Sequence, residues 1–185
     1  MKYSQLPSQN YIDCRIRFTE KLLPCSLAVF NSNDLMPTNA DGHMPFKQNA
    51  DLFYLTGVDQ EETLLVIFPD SFHEKHREIL FLKETNSEIA IWEGAKLSKE
   101  QATELTGIKT IYWLSDFKKV FITLMSEAKN VYLNTNEHMR ASIEVETRDA
   151  RFGKWIRENY PLHLYHRSAP IMQEIRSIKT LHEID

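Results

Sequence analysis

The stretch that most constrains the fold is residues 63–68, in which one threonine is followed by five apolar residues (Thr-Leu-Leu-Val-Ile-Phe). A strand that is apolar on both faces has to be covered on both faces, as the central strand of a layered sheet is. Pro69 and Asp70 end the run, and a short polar link leads to a second apolar run over residues 78–83. The two runs predict an antiparallel hairpin at the centre of the sheet.

The rest of the chain alternates between helical and strand patterns. Helix-spaced apolar residues predict helices over 11–23, 98–106, from Ser115 onwards, 147–159 and 168–185, and Ser98, Ser115 and Ser168 are predicted as N-caps. Short apolar runs predict strands over 26–30, 52–56, 63–68, 78–83, 109–113, 130–133 and 162–165. This alternation predicts an α/β fold with three layers, in which helices flank a mixed central sheet of about six strands.

The charge balance and the termini limit the functional class. Lys and Arg number 22 against 26 Asp and Glu, a net charge of -4, so the basic field that nucleic-acid binding requires is missing and we expect no nucleic-acid partner. No run approaches the roughly 18 apolar residues of a membrane span, and no signal peptide is recognisable, so we expect no membrane partner. Cys14 and Cys25 match no metal or disulfide pattern, and we interpret both as reduced core or near-core thiols of a cytoplasmic protein.

The search for chemistry finds no complete catalytic centre. The glycines are isolated, so there is neither a nucleophile elbow nor a phosphate loop. Asp34, Asp41 and Asp51 come from one loop and the segment that it feeds. They could gather near a metal or a substrate amine, or they could form local Asx turns, which a long loop also favours. We therefore predict no catalytic residue and no metal ligand in this chain.

Two segments resemble a known family. Residues 31–34 (Asn-Ser-Asn-Asp) and 45–57 (Pro-Phe-Lys-Gln-Asn-Ala-Asp-Leu-Phe-Tyr-Leu-Thr-Gly) resemble the N-terminal domain of Xaa-Pro aminopeptidases (aminopeptidase P), of the creatinase/prolidase superfamily. Lys47, Ala50 and Leu52 depart from the family pattern and leave its amide and carboxylate positions intact. We expect a loop tied down by its polar residues, leading into a core strand anchored by Phe53 and Leu55. The motif residues with an expected structural role are Asp34, Phe46, Gln48, Asn49, Asp51, Tyr54 and Gly57.

Two further stretches extend the resemblance over most of the chain. Residues 81–83 followed by 91–94 (Ile-Trp-Glu-Gly) resemble a strand and Trp-x-Gly segment of the family, and residues 175–184 resemble the helix that leads into its catalytic domain. Trp92 is then either a core anchor or a residue that lines the substrate cleft. The last helix has no stop signal before Asp185, which indicates a domain boundary. We expect a domain over residues 1–168 and the start of a linking helix over 169–185.

The resemblance implies a function for a longer protein. In the family, a catalytic domain of the pita-bread fold follows and holds two metal ions, usually Mn²⁺, with ligands that would lie beyond Asp185. The chain alone is therefore expected to be inactive, and its expected partners are its own catalytic domain, proline-containing peptides and further copies in a dimer or tetramer. Two alternatives stay open, which are the N-terminal domain of a prolidase and a non-enzymatic module that binds peptides or proteins.

Overall fold

A single mixed sheet organises the molecule. The structure is a computed structural model and describes residues 5–86, 88, 91, 94–135, 137, 144–180, 183 and 184. The strands lie in the order β4-β3-β2-β1-β5-β6, in which β2 runs antiparallel to both neighbours and the other pairs are parallel. Their bounds are β1 (Ser26–Asn31), β2 (Leu64–Ile67), β3 (Glu78–Leu82), β4 (Thr110–Trp113), β5 (Asn130–Leu133) and β6 (Leu164–Arg167).

Helices cover both faces of the sheet. The described α-helices are α1 (Ser8–Thr19), α2 (Ala50–Thr56), α3 (Lys99–Thr106), α4 (Phe117–Glu127), α5 (Arg148–Asn159) and α6 (Ala169–Ser177). One hydrophobic cluster lies between one face of the sheet and helices α1, α2, α3 and α6, and we call these four helices the first layer. A second cluster lies between the opposite face and helices α4 and α5, and we call these two helices the second layer. The predicted three-layer α/β fold with about six strands is confirmed. No helix in the described ranges is long and apolar enough to cross a bilayer.

The strand β2 has the central position that its sequence predicts. Leu65 and Ile67 belong to the core of the first layer, whereas Leu64 and Val66 belong to that of the second. All four side chains are buried, and complete burial stabilises the fold by roughly 1.5–3 kcal/mol for each of them. Pairing with β3 is antiparallel, so the predicted hairpin is confirmed.

The predicted strand over 52–56 is wrong, because this segment forms helix α2. The Asn49 side chain caps the helix by accepting bonds from the backbone N–H groups of Asp51 and Leu52, at 3.0 and 3.2 Å. Gly57 ends it in the left-handed conformation, with a φ of 71°. Capping groups at both ends outweigh the strand preference of the aromatic residues between them. Leu52 and Leu55, three residues apart, then face the core together.

Several predicted ends and caps also need correction. Ser115 lies in a 3₁₀ turn (Leu114–Asp116) that runs directly into α4, so no side chain caps that helix. Ser168 precedes α6, but its side chain makes no capping bond. The last strand begins two residues later than predicted. Cys14 is buried as expected, whereas Cys25 is exposed; both thiols are free.

The last helix stops at Ser177 and does not run on to Asp185. Arg17 of α1 donates to the backbone oxygens of Ile175 and Ile178, the latter at 3.1 Å. These carbonyls therefore have hydrogen-bond donors without a further turn of helix. Thr180 then donates to Asn10 of α1 at 3.0 Å. Because these bonds fasten the first helix to the last, we call this contact the α1–α6 clasp.

The buried side chain of Arg15 in α1 joins two other helices of the first layer and the sheet. Its Nη1 donates to the oxygen of Leu55 at 2.9 Å and its Nη2 to the oxygen of Thr106 at 3.0 Å, so one guanidinium binds the C-terminal ends of both α2 and α3. Its Nε lies 3.0 Å from a carboxylate oxygen of Glu78 on β3. A fully buried charge is tolerated only where such partners surround it.

Candidate functional site

The strands β1 and β5 mark the place where the sheet can accommodate a ligand. They are parallel neighbours, but the chain leaves β1 towards α2 in the first layer and leaves β5 towards α5 in the second. Because the two connections diverge, a crevice opens beyond the carboxyl ends of these strands, as at the switch point of an open α/β sheet. The candidate site is this crevice.

A polar cavity of about 430 Å³ fills the crevice. Acidic, amide and hydroxyl side chains supply most of its wall, and Arg176 is the cation among its described lining. The residues that line it are Asn33, Asn49, Asp51, Asn134, Thr135, Glu137, Thr147, Asp149, Ala169, Met172, Gln173 and Arg176.

Asp149 lies at the centre of the hydrogen bonds around this cavity. It is the second residue of α5, after the Thr147 N-cap, and only 9% of it is exposed. Its Oδ1 accepts from the backbone and side-chain nitrogens of Asn31, at 3.2 and 2.8 Å. Its Oδ2 accepts from the side-chain nitrogens of Asn49 and Asn134, each at 3.3 Å. The carboxylate thus connects the ends of β1 and β5 to the starts of α2 and α5.

Burial raises the pKa of Asp149 from 3.8 to about 7. The hydrogen bonds from Asn31 and Asn134 favour the ionised form, but they do not offset the lost hydration. Neutral amides supply all four of the described donors, and no described cation forms an ion pair with this carboxylate. This side chain consequently changes its protonation state near neutral pH.

The amides of the 45–57 motif hold the adjoining loop. Gln48 donates to the backbone oxygens of Val58 and Gln60, at 3.1 and 2.8 Å, and accepts from the backbone nitrogen of Asn49 at 2.7 Å. Asn49 uses its oxygen to cap α2 and its nitrogen to reach Asp149. These two residues fix the start of α2 against the cavity.

Asp51 and Tyr54 connect α2 to the last helix. Asp51 forms an ion pair with Arg176 at 2.6 Å, at the wall of the cavity. Tyr54 donates to the backbone oxygen of Ile175 and accepts from Arg17, both at 3.3 Å. Burial raises the pKa of this phenol well above its usual 10, so Tyr54 stays protonated.

Gly57 is required by both backbone conformation and space. A Cβ at this position would lie 2.3 Å from the ring of Tyr11, besides carrying the left-handed φ. A side chain is therefore excluded at the end of α2.

The other predicted acidic residues do not gather. Asp34 pairs with Arg151 of α5 at 2.7 Å, Asp51 pairs with Arg176 of α6, and Asp41 is exposed. Within the described ranges, no three His, Cys, Asp or Glu side chains are arranged to hold a metal ion. Phe46 is half-buried. Trp92 lies outside the described residues.

Glu137, Asn134 and Asp149 are site residues that the sequence reasoning missed. Arg167 and Thr135 donate to Glu137, and these bonds hold its pKa below the usual value. Asn31 and Asn134 stand at the carboxyl ends of two apolar strands, and Asp149 follows a helix cap. For Asn134 and Asp149, that placement is the sequence signal from which a site could be predicted.

The described wall of the cavity carries groups that can bind a ligand. Its described lining contains no histidine or cysteine. The hydroxyl of Thr135 is engaged with Glu137, and that of Thr147 accepts from the backbone of Ala150. What the wall offers a ligand is a set of hydrogen-bonding amides and carboxylates.

Comparisons with known proteins agree on one family. A family model described as "Aminopeptidase P, N-terminal domain" matches residues 11–132. Xaa-Pro aminopeptidase from Escherichia coli is 25% identical over 183 residues, which is 98% of this chain and 41% of that protein. The Haemophilus influenzae Xaa-Pro aminopeptidase is 23% identical over 98% of this chain and 39% of its own length.

The solved structures give the same result for the fold. A Bacillus anthracis protein assigned as an aminopeptidase P superposes with a TM-score of 0.85 and 27% identity, over 97% of this chain and 42% of that one. Aminopeptidase P from E. coli with the inhibitor Pro-Leu gives a TM-score of 0.75 at 23% identity, over 98% of this chain and 41% of that one. The chain thus spans about two-fifths of the length of these relatives.

Proposed function

The chain belongs to the aminopeptidase P N-terminal domain family, and from this membership we propose that it is the non-catalytic first domain of a metal-dependent Xaa-Pro aminopeptidase. The complete enzyme would release the N-terminal residue that precedes a proline. The observation that carries the proposal is the match of almost the whole chain to about two-fifths of curated Xaa-Pro aminopeptidases.

The metal chemistry is proposed for the part of the relatives that lies outside the match. The described residues of this chain offer no group of three metal-ligating side chains, so they do not fit a dinuclear metal centre. Two Mn²⁺ ions in a catalytic domain would activate water and polarise the scissile carbonyl. We assign no step of that reaction to a residue of this chain.

The role proposed for this domain is to shape access to the catalytic domain and to support assembly. Residues 1–168 would form the domain, and 169–185 would begin the connection to the catalytic domain. Trp92 would line the cleft that admits proline-containing peptides, because aromatic rings pack well against proline. The domain would also contribute to a dimer or tetramer. The two free cysteines agree with a cytoplasmic location, which is part of the proposal.

Kinetic assays of the full-length protein test this function. Purified protein supplied with Mn²⁺ is expected to cleave Xaa-Pro-Yaa tripeptides and to lose activity with a chelator. Faster cleavage of Xaa-Pro dipeptides would instead identify a prolidase, and turnover of neither substrate would favour a binding module. The 185-residue chain, assayed in parallel, is expected to be inactive. Metal-dependent turnover by the pure chain would refute the assignment of a non-catalytic role.

A further inference from the structure

A second cavity, at the helices of the second layer, has the features of a peptide-binding groove. It measures about 570 Å³ and lies between the 3₁₀ turn before α4 and the first turns of α5. We call it the aromatic groove, because Phe117, Phe152 and Trp155 line it. It differs from the polar cavity in position and in chemistry, since its wall is mainly apolar.

The three rings pack against one another along the wall of the groove. The ring centroids of Phe152 and Trp155 are 5.5 Å apart, and those of Phe117 lie 6.0 Å from Phe152 and 6.4 Å from Trp155. Phe117 is buried, whereas Phe152 and Trp155 are only half-buried. Aromatic rings that hold one another in tilted contact can offer a preformed surface to a further ring at little cost in conformational entropy.

The guanidinium of Arg148 lies at this wall and makes one hydrogen bond to a described residue. Its Nη1 donates to the hydroxyl of Ser32 at 3.2 Å, and it has no carboxylate within 4.0 Å in the described part of the chain. Burial lowers its pKa, while the carboxylates of Glu62 and Asp34 act on it from a greater distance. Its neighbour Arg151 differs, because it pairs with Asp34 at 2.7 Å. A planar guanidinium with free N–H groups is suited to bind a carboxylate through two bonds.

A second cation lines the groove from the other helix. Lys118, in the first turn of α4, is exposed and forms no ion pair with a described residue. The groove therefore combines an aromatic wall with two cations, one from α4 and one from α5, that form no ion pair with any described carboxylate. This local positive charge contrasts with the net charge of -4 of the whole chain.

We propose that the aromatic groove binds a peptide segment of a partner protein in which an aromatic residue stands between two acidic residues. The aromatic side chain packs on Phe152 and Trp155, and the flanking carboxylates bind Arg148 and Lys118. Charge complementarity selects this occupant, because an apolar segment would cover the half-buried guanidinium and give its remaining N–H groups no acceptor. A volume of about 570 Å³ lies within the range of ligand sites.

Fluorescence anisotropy with labelled peptides tests the proposal in the full-length protein. Acetyl-Asp-Phe-Glu-amide is expected to bind, whereas the neutral Asn-Phe-Gln peptide and the Asp-Ala-Glu peptide should bind at least tenfold more weakly. Arg148→Gln and Lys118→Gln should each weaken binding of the acidic peptide, the former by about tenfold or more. Lys119→Gln is the matched control, since it removes the same charge from the same helix at a position that does not line the groove.

Four results would overturn the proposal. The first is equal affinity for the acidic and neutral peptides, and the second is an equal loss of affinity from Lys119→Gln and Lys118→Gln. The third is binding of N-acetyl-phenylalanine, through its free carboxylate, without binding of the amidated acidic peptide. The fourth is no measurable binding of the acidic peptide. If Arg148→Gln fails to fold, the wild-type protein still supplies a test. Its affinity for the acidic peptide must fall as ionic strength rises, and an affinity insensitive to salt refutes the two ion pairs.

Discussion

Replacing Asp149 with asparagine is expected to remove a pH dependence from the stability of the fold. The pKa of this carboxyl is about 7 in the folded protein and 3.8 without burial, so the folded state binds the proton more tightly. Stability is therefore lost as pH rises from the unfolded pKa towards the folded pKa, and it levels off above that value. From these two pKa values, linkage gives a loss of about 2 to 3 kcal/mol between pH 5 and pH 8.

The substitution preserves much of the local bonding. The side-chain oxygen of asparagine can still accept from Asn31, while its new amide replaces the oxygen that faces Asn49 and Asn134. Asn134 can turn its own amide to accept there, because its Oδ1 is buried without a described partner. Asp149→Asn therefore changes the proton equilibrium while keeping the connection between β1 and β5; it loses the bond from Asn49, whose oxygen is engaged in capping α2.

Urea denaturation at pH 5, 6, 7 and 8, followed by circular dichroism, measures the effect. The free energy of unfolding of the wild type should fall relative to that of Asp149→Asn, mostly between pH 5 and 7. Asp13→Asn, at an exposed position on α1, controls for the loss of a charge. If the wild type and Asp149→Asn vary with pH in parallel, the assignment of the raised pKa to Asp149 is wrong.

Three further perturbations test other parts of the structure. Arg15→Met should lower the free energy of unfolding by about 3–5 kcal/mol, because it leaves two helix ends and Glu78 without their cation; Arg15→Lys, with one ammonium group, should recover only part. Gly57→Ala should lower the melting temperature through its clash with Tyr11; added to Tyr11→Ala, which has no ring to clash with, it should cost only the left-handed backbone, about 1–2 kcal/mol relative to Tyr11→Ala alone. Trp92→Ala in the full-length protein should raise KM or lower kcat with little change in melting temperature; a large loss of stability with normal kinetics would instead identify a core residue.

The sheet could be predicted because its signals are local. Residues 63–68 carry apolar side chains on both faces, and this pattern alone requires a central strand with two covering layers. Helix α2 was also marked locally, by Asn49 at its start and Gly57 at its end. The aromatic composition of the segment favours a strand, but the capping residues outweigh the strand propensity of Phe53 and Tyr54.

The placement of cavity residues at the ends of strands and helices could be predicted, but the hydrogen bonds that shape the polar cavity could not, because they join residues that are distant in sequence. Asp149 binds Asn31 and Asn49, which precede it by 118 and 100 residues. Its raised pKa follows from burial, and burial depends on the packing of both layers rather than on neighbouring residues. The aromatic groove could not be predicted for a related reason, since the helical pattern over 147–159 does not show that the rings of Phe152 and Trp155 stay half-buried.

The α1–α6 clasp has a consequence for how the chain of this domain can be reconnected. Because Thr180 binds Asn10 and Arg17 binds the end of α6, the first described helix and the segment after the last one lie side by side at one corner. A short linker could join two segments that lie this close together. The domain is therefore suited to circular permutation, in which new termini open in a surface loop.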